Sequence, residues 1–301
     1  MKAIMDVIGT SKQAFHQKLK RKHYRKEEQQ QLLPLIEEIR RDHPRMSARD
    51  MYIKLRPTTM GRDQFEKFCF ANGYRVKRLK NYRVTTNSQG VTRFPNRIRN
   101  IELTGVNQIF VSDITYYEIK SKFYYITLIM DLFNREIVGW SASDNLRTEN
   151  TTLPALYQAI KERGKSNLKG SIIHSDGGGQ YYCKEFKALT ASLEMINSMT
   201  EEKIYENSHA ERLNGIIKNN YLYPYGPKDL NTLRKELGKA VWMYNNEKPH
   251  TALGKLTPKE FIKQNTIDNE NNSQVSYHPL STIHYNNYLD KKSINKKVNV
   301  I

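Results

Sequence analysis

Between residues 109 and 141, three apolar, β-branched segments follow one another with turns too short to hold a helix. Ile109–Tyr117 is apolar on both faces and reads as a central strand. Lys120-Ser121-Lys122 turns into a second such segment, Phe123–Met130. Asp131–Arg135 then turns into a third, Glu136–Ser141. Connections this short join antiparallel neighbours, so the chain is constrained to an antiparallel meander here. Beyond it the pattern alternates. Thr148–Arg163 reads as a helix, Ser171–His174 as a short buried strand, Lys184–Leu193 as a helix and Glu194–Met199 as a fifth strand. After a polar loop, Ala210 to about Tyr221 is helical again. Asn231–Asn245 is amphipathic through Leu233, Leu237, Val241 and Trp242, which suits packing. The expected fold class is α/β with a mixed sheet.

Three carboxylates interrupt this pattern. Asp113 sits inside the apolar first strand, where an acid is costly unless paired or bound to a cation. The plainer alternatives are a frayed strand end or backbone hydrogen bonds. Asp176 follows the fourth strand in His174-Ser175-Asp176-Gly177-Gly178-Gly179-Gln180-Tyr181. It is either the cap of a glycine-rich turn or an acid at a strand's carboxyl end, where open α/β sheets place their sites. Glu211 lies at the start of the Ala210 helix, where the helix dipole alone would favour it. Together, two aspartates and a glutamate supply hard oxygen ligands and no thiolate, which suits Mg²⁺ or Mn²⁺. Two such ions about 3.5–4 Å apart clamp the attacking and leaving oxygens of a phosphodiester. Lys218, seven residues after Glu211, shares its helix face and can reach a phosphate; a solvated surface lysine is the equal alternative. Asn214, one turn along, can do the same more weakly. His174 and His250 read as packing or hydrogen-bonding residues rather than metal ligands.

The charge is unevenly divided. The 301 residues include 49 Lys+Arg and 31 Asp+Glu, a net of +18. Residues 1–100 hold 24 and 9 of these, a net of +15, and residues 101–301 hold 25 and 22, a net of +3. So basic a segment favours a polyanion, with nucleic acid ahead of an anionic membrane surface. A merely solvated tail would lack apolar periodicity. Here Leu32, Leu35, Ile36 and Ile39 mark an amphipathic helix that His43-Pro44 ends. Ser47 caps a second helix, with Asp50 in the capping-box position and Met51, Ile53 and Leu55 following; Arg56-Pro57 stops it. A third runs from about Met60 to Ala71, with Phe65, Phe68 and Cys69 inward and Asn72-Gly73 as its cap. Ser11 caps another short helix containing Ala14, Phe15 and Leu19. Short helices with basic outer faces suit a helix-turn-helix unit. Arg62, Lys67, Arg75, Lys77 and Arg78 are its candidate DNA contacts. Residues 77–107 read as a basic linker able to follow a DNA backbone. Residues 264–301, rich in Asn and Lys, read as a partly ordered tail.

Several classes are excluded. A mean hydropathy of −0.74 and the lack of a long apolar run rule out a transmembrane helix. Asp6 stands where a signal peptide needs apolar residues, so secretion is not expected. Cys69 and Cys183 allow neither a disulfide framework nor a cysteine-built zinc site.

Five motifs, in order, carry a family resemblance. They are Ser112-Asp113-Ile114-Thr115-Tyr116; Met130 through Trp140 (MDLFNREIVGW); His174 through Tyr181 (HSDGGGQY); Tyr205 through Gly215 (YENSHAERLNG); and Tyr244 through Leu253 (YNNEKPHTAL). Over about residues 30 to 263 the chain resembles the DDE transposases of bacterial insertion sequences. The group is the one called family three, whose core is similar to retroviral integrase. That resemblance implies a ribonuclease-H-like core behind a small all-α helix-turn-helix domain. It implies that Asp113, Asp176 and Glu211 are the catalytic and metal-binding triad, holding two Mg²⁺ or Mn²⁺ ions. It implies cleavage at the ends of an insertion sequence and transfer of the freed 3′-OH into DNA. The partners implied are double-stranded DNA, further copies of the chain on that DNA, and a protein from an upstream reading frame. The place implied is the bacterial cytoplasm, at the nucleoid.

The expected division is 1–76 helix-turn-helix-like, 77–107 linker, 108–222 catalytic core, 223–263 a helical addition and 264–301 tail. Some positions depart from the family. Only 34 residues separate Asp176 from Glu211, one fewer than usual. Gly178 replaces an arginine-glycine arrangement, Lys248 stands where arginine is common, and Phe110 where tryptophan is frequent. Residues 1–68 contain no cysteine, which excludes the zinc domain of retroviral integrases. The end-binding module often encoded upstream is also not expected in this sequence. Two other classes stay open: a catalytically silent DNA-binding regulator, and a ribonuclease-H-type nuclease that cleaves RNA–DNA hybrids without joining.

Overall fold

The computed structural model describes residues 11–77, 94–201 and 207–271. Arg78, the middle of the basic linker, Tyr205 and Glu206, and the tail beyond Asn271 lie outside the described residues. The chain divides into two compact units, Met1–Leu79 and Lys80–Ile301.

The first unit is all-helical: α1 (Lys12–Asp42), α2 (Ala48–Leu55) and α3 (Arg62–Ala71). Ser11 Oγ accepts from the Ala14 amide and Ser47 Oγ from the Asp50 amide, which satisfies donors that a helix start leaves open. Arg56, left-handed at φ 46°, closes α2. Ile36, Met51, Phe65 and Cys69 form the centre of a small core with Leu32, Ile39, Met46 and Met60. Two expectations change here. The short helix begun at Ser11 does not stop before the Leu32 helix; both belong to α1, which runs through Pro34. Pro34 is exposed, so the hydrogen bond it removes falls on the solvent face. Leu35 leaves the apolar stripe and is 44% exposed. The buried positions are Leu32, Ile36 and Ile39, one turn or nearly two apart. The Glu28 carboxylate fastens α1 to the loop before α3. It accepts from the amides of Thr58 (2.6 Å) and Thr59 (2.9 Å) and from both hydroxyls.

The second unit is built on a five-stranded sheet of order β3-β2-β1-β4-β5. The strands are β1 (Ile109–Ile119), β2 (Lys122–Asp131), β3 (Ile137–Ser143), β4 (Ile172–Ser175) and β5 (Ile196–Met199). The first three pair antiparallel, while β4 joins β1 and β5 joins β4 in parallel. This is the mixed, ribonuclease-H-like arrangement expected, with β1 at its centre. Lys120 and Ser121, both at positive φ, make the two-residue turn that matches strand twist. The helices are α4 (Thr152–Arg163), α5 (Lys184–Ser192), α6 (Ser208–Ile217), α7 (Leu230–Asn246) and α8 (Pro258–Asn271).

Two cores follow from the alternation of side chains along β1. Phe110 belongs to the layer with α4 and α5, through Leu156, Ala159 and Phe186. Ile109, Val111, Tyr117 and Ile119 belong to the layer with α6 and α7, through Leu213, Ile217, Leu237 and Val241. Gly139 lets α4 lie directly on β3: a Cβ there would fall 2.1 Å from the Ala155 carbonyl oxygen.

The described part of the linker is not free. The amides of Asn96 and Arg97 donate to Glu201 and Ser198, Arg99 pairs with Glu201 at 3.2 Å, and Ile98 is buried in the core. At the other end, α8 continues past residue 263 into what composition alone makes a tail. Among the described residues, no helix is long and apolar enough to cross a membrane.

Candidate active site

Asp113 is placed by its strand. On β1 its side chain points to the α6 face, the odd-numbered face of Val111 and Tyr117. Parallel pairing joins Ile109 to Ile172 and Val111 to His174, an offset of 63 residues. The same offset brings Asp176 level with Asp113. The ladder stops at Val111, so the β4 side of β1 is open where the acids lie. Asp176 turns back onto its own loop, its Oδ1 accepting from the Gly178 amide at 3.0 Å. Glu211 is in the first turn of α6 and is exposed.

The electrostatics tie the three together. Burial, then the charges of Asp176 and Glu211, push the Asp113 carboxyl up to about 8, against the Ile114 amide and the Asn214 side chain. Burial raises Asp176 as well, opposed by the Gly178 amide. The three carboxylates are nevertheless spread: among the described residues, no three His, Cys, Asp or Glu side chains converge closely enough to hold a metal ion. The donors are hard oxygens with a buried, charge-starved member, which is the chemistry a divalent cation fits.

Asn214, read from the sequence as a weak phosphate contact, lies against Asp113. It is buried, and its Nδ2 donates to Asp113 Oδ2 at 2.8 Å. Lys218 turns to the open edge of β1. Its Nζ donates to Thr115 Oγ1 at 2.7 Å and to the Tyr116 carbonyl at 3.4 Å. Burial lowers its pKa and the Asp113 charge opposes that shift. A π-helical turn, Lys218–Leu222, follows directly.

Other supports escaped the sequence reading. The Tyr181 hydroxyl meets Ser112 Oγ at 2.8 Å behind the acids, and Asn207 Nδ2 donates to the Ser112 carbonyl at 3.0 Å. Both residues lie in the quoted motifs, which was the only signal available. A buried tyrosine after a glycine run otherwise reads as ordinary core. The two histidines behave as expected. His174 Nδ1 meets Ser198 Oγ at 2.9 Å, and the His250 ring packs edge-on against Tyr244 at 4.6 Å. Burial holds His209 down at about 3, so its neutral ring accepts from Arg135 at 3.0 Å.

The remaining motifs frame the site. Asp131 and Glu136 are fully buried; Arg163 reaches both, at 3.5 and 2.7 Å, and Lys259 closes on Glu136. Asn245 both donates to and accepts from the Ile137 backbone at 2.9 Å. In the first unit, Arg62, Lys67, Arg75 and Lys77 are all exposed. Arg62 pairs with Asp63 at 2.8 Å, and Arg75 lies 4.6 Å from the Phe70 ring centre.

Residues 104–202 match the integrase core domain family, and residues 196–258 match a second family of the same description. The chain is 28% identical to the IS600 insertion-element protein of Shigella sonnei, over 67% of this chain and 75% of that one. It is 32% identical to the transposase for IS629 of Shigella sonnei, over 62% of each. It is 27% identical to the magnesium complex of the HTLV-2 integrase catalytic core, with a TM-score of 0.41, over 52% of this chain and 95% of that one.

Proposed function

We propose that this chain, which belongs to the integrase-core transposases of bacterial insertion sequences, holds two divalent cations, Mg²⁺ or Mn²⁺, with Asp113, Asp176 and Glu211. The family sets the reaction class, a metal-dependent polynucleotidyl transfer that serves transposition and DNA integration. In our reading, the chain cuts at the ends of its element and joins the freed 3′-OH to a new phosphodiester.

One observation carries the assignment of residues. Asp113 is a partly buried acid level with Asp176, and burial together with the charges of Asp176 and Glu211 pushes its pKa up to about 8. Such a group is discharged either by a proton or by a cation. Bound there, the cations supply activation of the attacking oxygen and charge stabilisation at the leaving 3′-oxygen.

The chain's own residues do the rest. Asn214 fixes the orientation of the Asp113 carboxylate. Tyr181 and Asn207 hold the Ser112 side chain and carbonyl, and with them the strand that carries Asp113. Lys218 keeps an ammonium proton for a phosphate on the strand being cut. Water and then the DNA 3′-OH are the nucleophiles, so no covalent enzyme intermediate is needed. Ser112, the nearest hydroxyl on the strand, is already committed to Tyr181 and the Leu128 carbonyl.

The helical first unit, 1–76, is assigned to DNA in a helix-turn-helix manner, through Arg62, Lys67, Arg75 and Lys77, with Arg78 beside them. The substrate is double-stranded DNA, gripped by more than one copy of the chain, with an upstream-frame protein as a further partner. Asp113→Asn tests the central claim, since it keeps the shape and removes the charge. It is expected to abolish Mg²⁺-dependent cleavage of duplexes carrying the element's ends and to leave their binding nearly intact. Full cleavage by this variant in Mg²⁺ overturns the assignment.

A further inference from the structure

The helix α1 changes character halfway along. In its second half, Leu32, Ile36 and Ile39 are buried in the small core. From Lys12 to Glu27 every residue is exposed except Phe15, which is half-buried. Among the described residues, the side-chain contacts of this stretch stay inside α1. His23 pairs with Glu27 at 3.1 Å, Phe15 meets the His16 ring, and Lys20 lies over the Tyr24 ring. Hydrogen bonds to the rest of the unit begin with Glu28, on the Thr58-Thr59 loop, and Gln29, which meets Met60.

The charge divides at the same place. Residues 12–27 hold seven Lys and Arg and one acid, a net of +6. Residues 28–42 hold two and four, a net of −2. Lys18, Lys22, Arg25, Gln29, Leu32 and Ile36 follow one another at steps of four and three, so the row that packs on the core continues upstream as a row of cations. Arg21 and Arg25 overhang the Thr58-Thr59 loop and share a hollow with it. Glu27 and Glu28 line that hollow too, but Glu27 is paired with His23 and Glu28 is committed to the loop. Alone, this half opposes its own helix. Lys18 and Lys22, Arg21 and Arg25, and Lys22 and Lys26 are like charges one turn apart. The first turn also lacks an acid to meet the helix dipole. A polyanion removes both defects.

We propose that Lys12–Lys26 is a basic arm that lies along the phosphates of duplex DNA and is held helical by them, a grip separate from that of Arg62, Lys67, Arg75 and Lys77. At 1.5 Å per residue the arm is about 21 Å long, and a duplex sets about a dozen phosphates along that length. A second copy of the arm would bring +6 against +6. A membrane surface requires a continuous apolar face. Phe15 and Leu19 are instead set among Lys12, Lys22 and Lys26, and Tyr24 falls on nearly the opposite side of the helix. The arm rests on the reading of the first unit as DNA-bound and adds a second contact surface to it.

The test is hydrogen exchange in the full chain, read by mass spectrometry on peptides covering residues 12–27, with and without a duplex of arbitrary sequence. The free arm, lacking tertiary packing, is expected to exchange fast. Duplex is expected to slow it at low salt and not at high salt. The fourfold variant Lys18→Gln, Arg21→Gln, Lys22→Gln and Arg25→Gln is expected to lose that protection and to lower the slope of log affinity against log salt by about 3–4. Glutamine forms helix as readily and all four sites are exposed, so the fold is kept. Lys18→Arg with Lys22→Arg keeps both protection and slope. Unchanged exchange over residues 12–27 at saturating duplex overturns the arm, as does an unchanged slope in the glutamine variant. Protection that appears without DNA as protein concentration rises overturns it in favour of a second copy. Protection by anionic vesicles and not by duplex overturns it in favour of a membrane. A slope lowered by the four glutamines and unmoved by alanine at Arg62, Lys67, Arg75 and Lys77 keeps the arm and removes the reading of those four. The converse removes the arm alone.

Discussion

In the proposed site, a proton and a divalent cation compete for the Asp113 carboxylate. An unfolded aspartate titrates near 4, and the native one near 8. Between those values the native state binds one more proton than the unfolded chain, so rising pH favours unfolding. The Asp113 contribution to metal-free stability is therefore expected to fall from about pH 4 to pH 8; His209 and His250, held down at about 3, oppose it below about pH 6.5, so the net loss is expected between about pH 6.5 and pH 8. Urea denaturation in EDTA across that range measures the slope, and a flat profile contradicts the burial of charge described here. With Mg²⁺ the trend reverses, because the cation binds the deprotonated form and its stabilisation grows with pH. The conflict was legible in the sequence: an acid in a strand apolar on both faces demands an explanation. The role of Asn214 was less so. Its spacing from Glu211 put it on the right helix face, but only the packed structure turns it onto Asp113. Tyr181 gave no sign of its bond to Ser112, because a hydroxyl's partner across the sheet leaves no local pattern.

Strands were the most readable elements, and the reason is periodic. A two-sided apolar run flanked by tight turns has few alternatives, so the meander and the strand at its centre followed directly. The helices of the first unit were harder. The break in apolar period between Leu19 and Leu32 suggested two helices, yet α1 runs through both, and through Pro34. Its continuity comes from tertiary contacts: the Glu28 carboxylate caps the Thr58-Thr59 loop, and Ile36 seats in the small core. Pro34→Ala should then stabilise the unit, by up to about 3 kcal/mol, because a helix interior regains a donor and loses a clash. A thermal or urea melt reads this directly. No gain, or a loss, means the proline marks a true boundary. How residues 94–107 are held was hidden for the converse reason. A polar composition hid the backbone bonds from Asn96 and Arg97 to Glu201 and Ser198, and one isoleucine, Ile98, was enough to anchor it.

Across the whole molecule, charge and chemistry are held in different places. The first hundred residues carry a net +15 and the rest +3, and Arg62, Lys67, Arg75 and Lys77 stand exposed. Each phosphate contact adds about 0.9 to the slope of log affinity against log salt on duplex DNA. Replacing these four by alanine should lower that slope by about 3–4 and weaken all sequences alike. Filter binding over a salt series measures it, and an unchanged slope moves the grip elsewhere. The catalytic unit has its own lock. Asp131 and Glu136 are fully buried, and their countercharges, Arg163 and Lys259, lie well downstream in the chain. During synthesis on the ribosome, those two acids therefore emerge long before the cations that neutralise them. Glu136 waits for Lys259, by which point Asp113, Asp176 and Glu211 have all been made. The full set of countercharges around Glu136 is thus complete only when the chain has been made as far as α8, which makes this buried cluster a late-closing part of the fold.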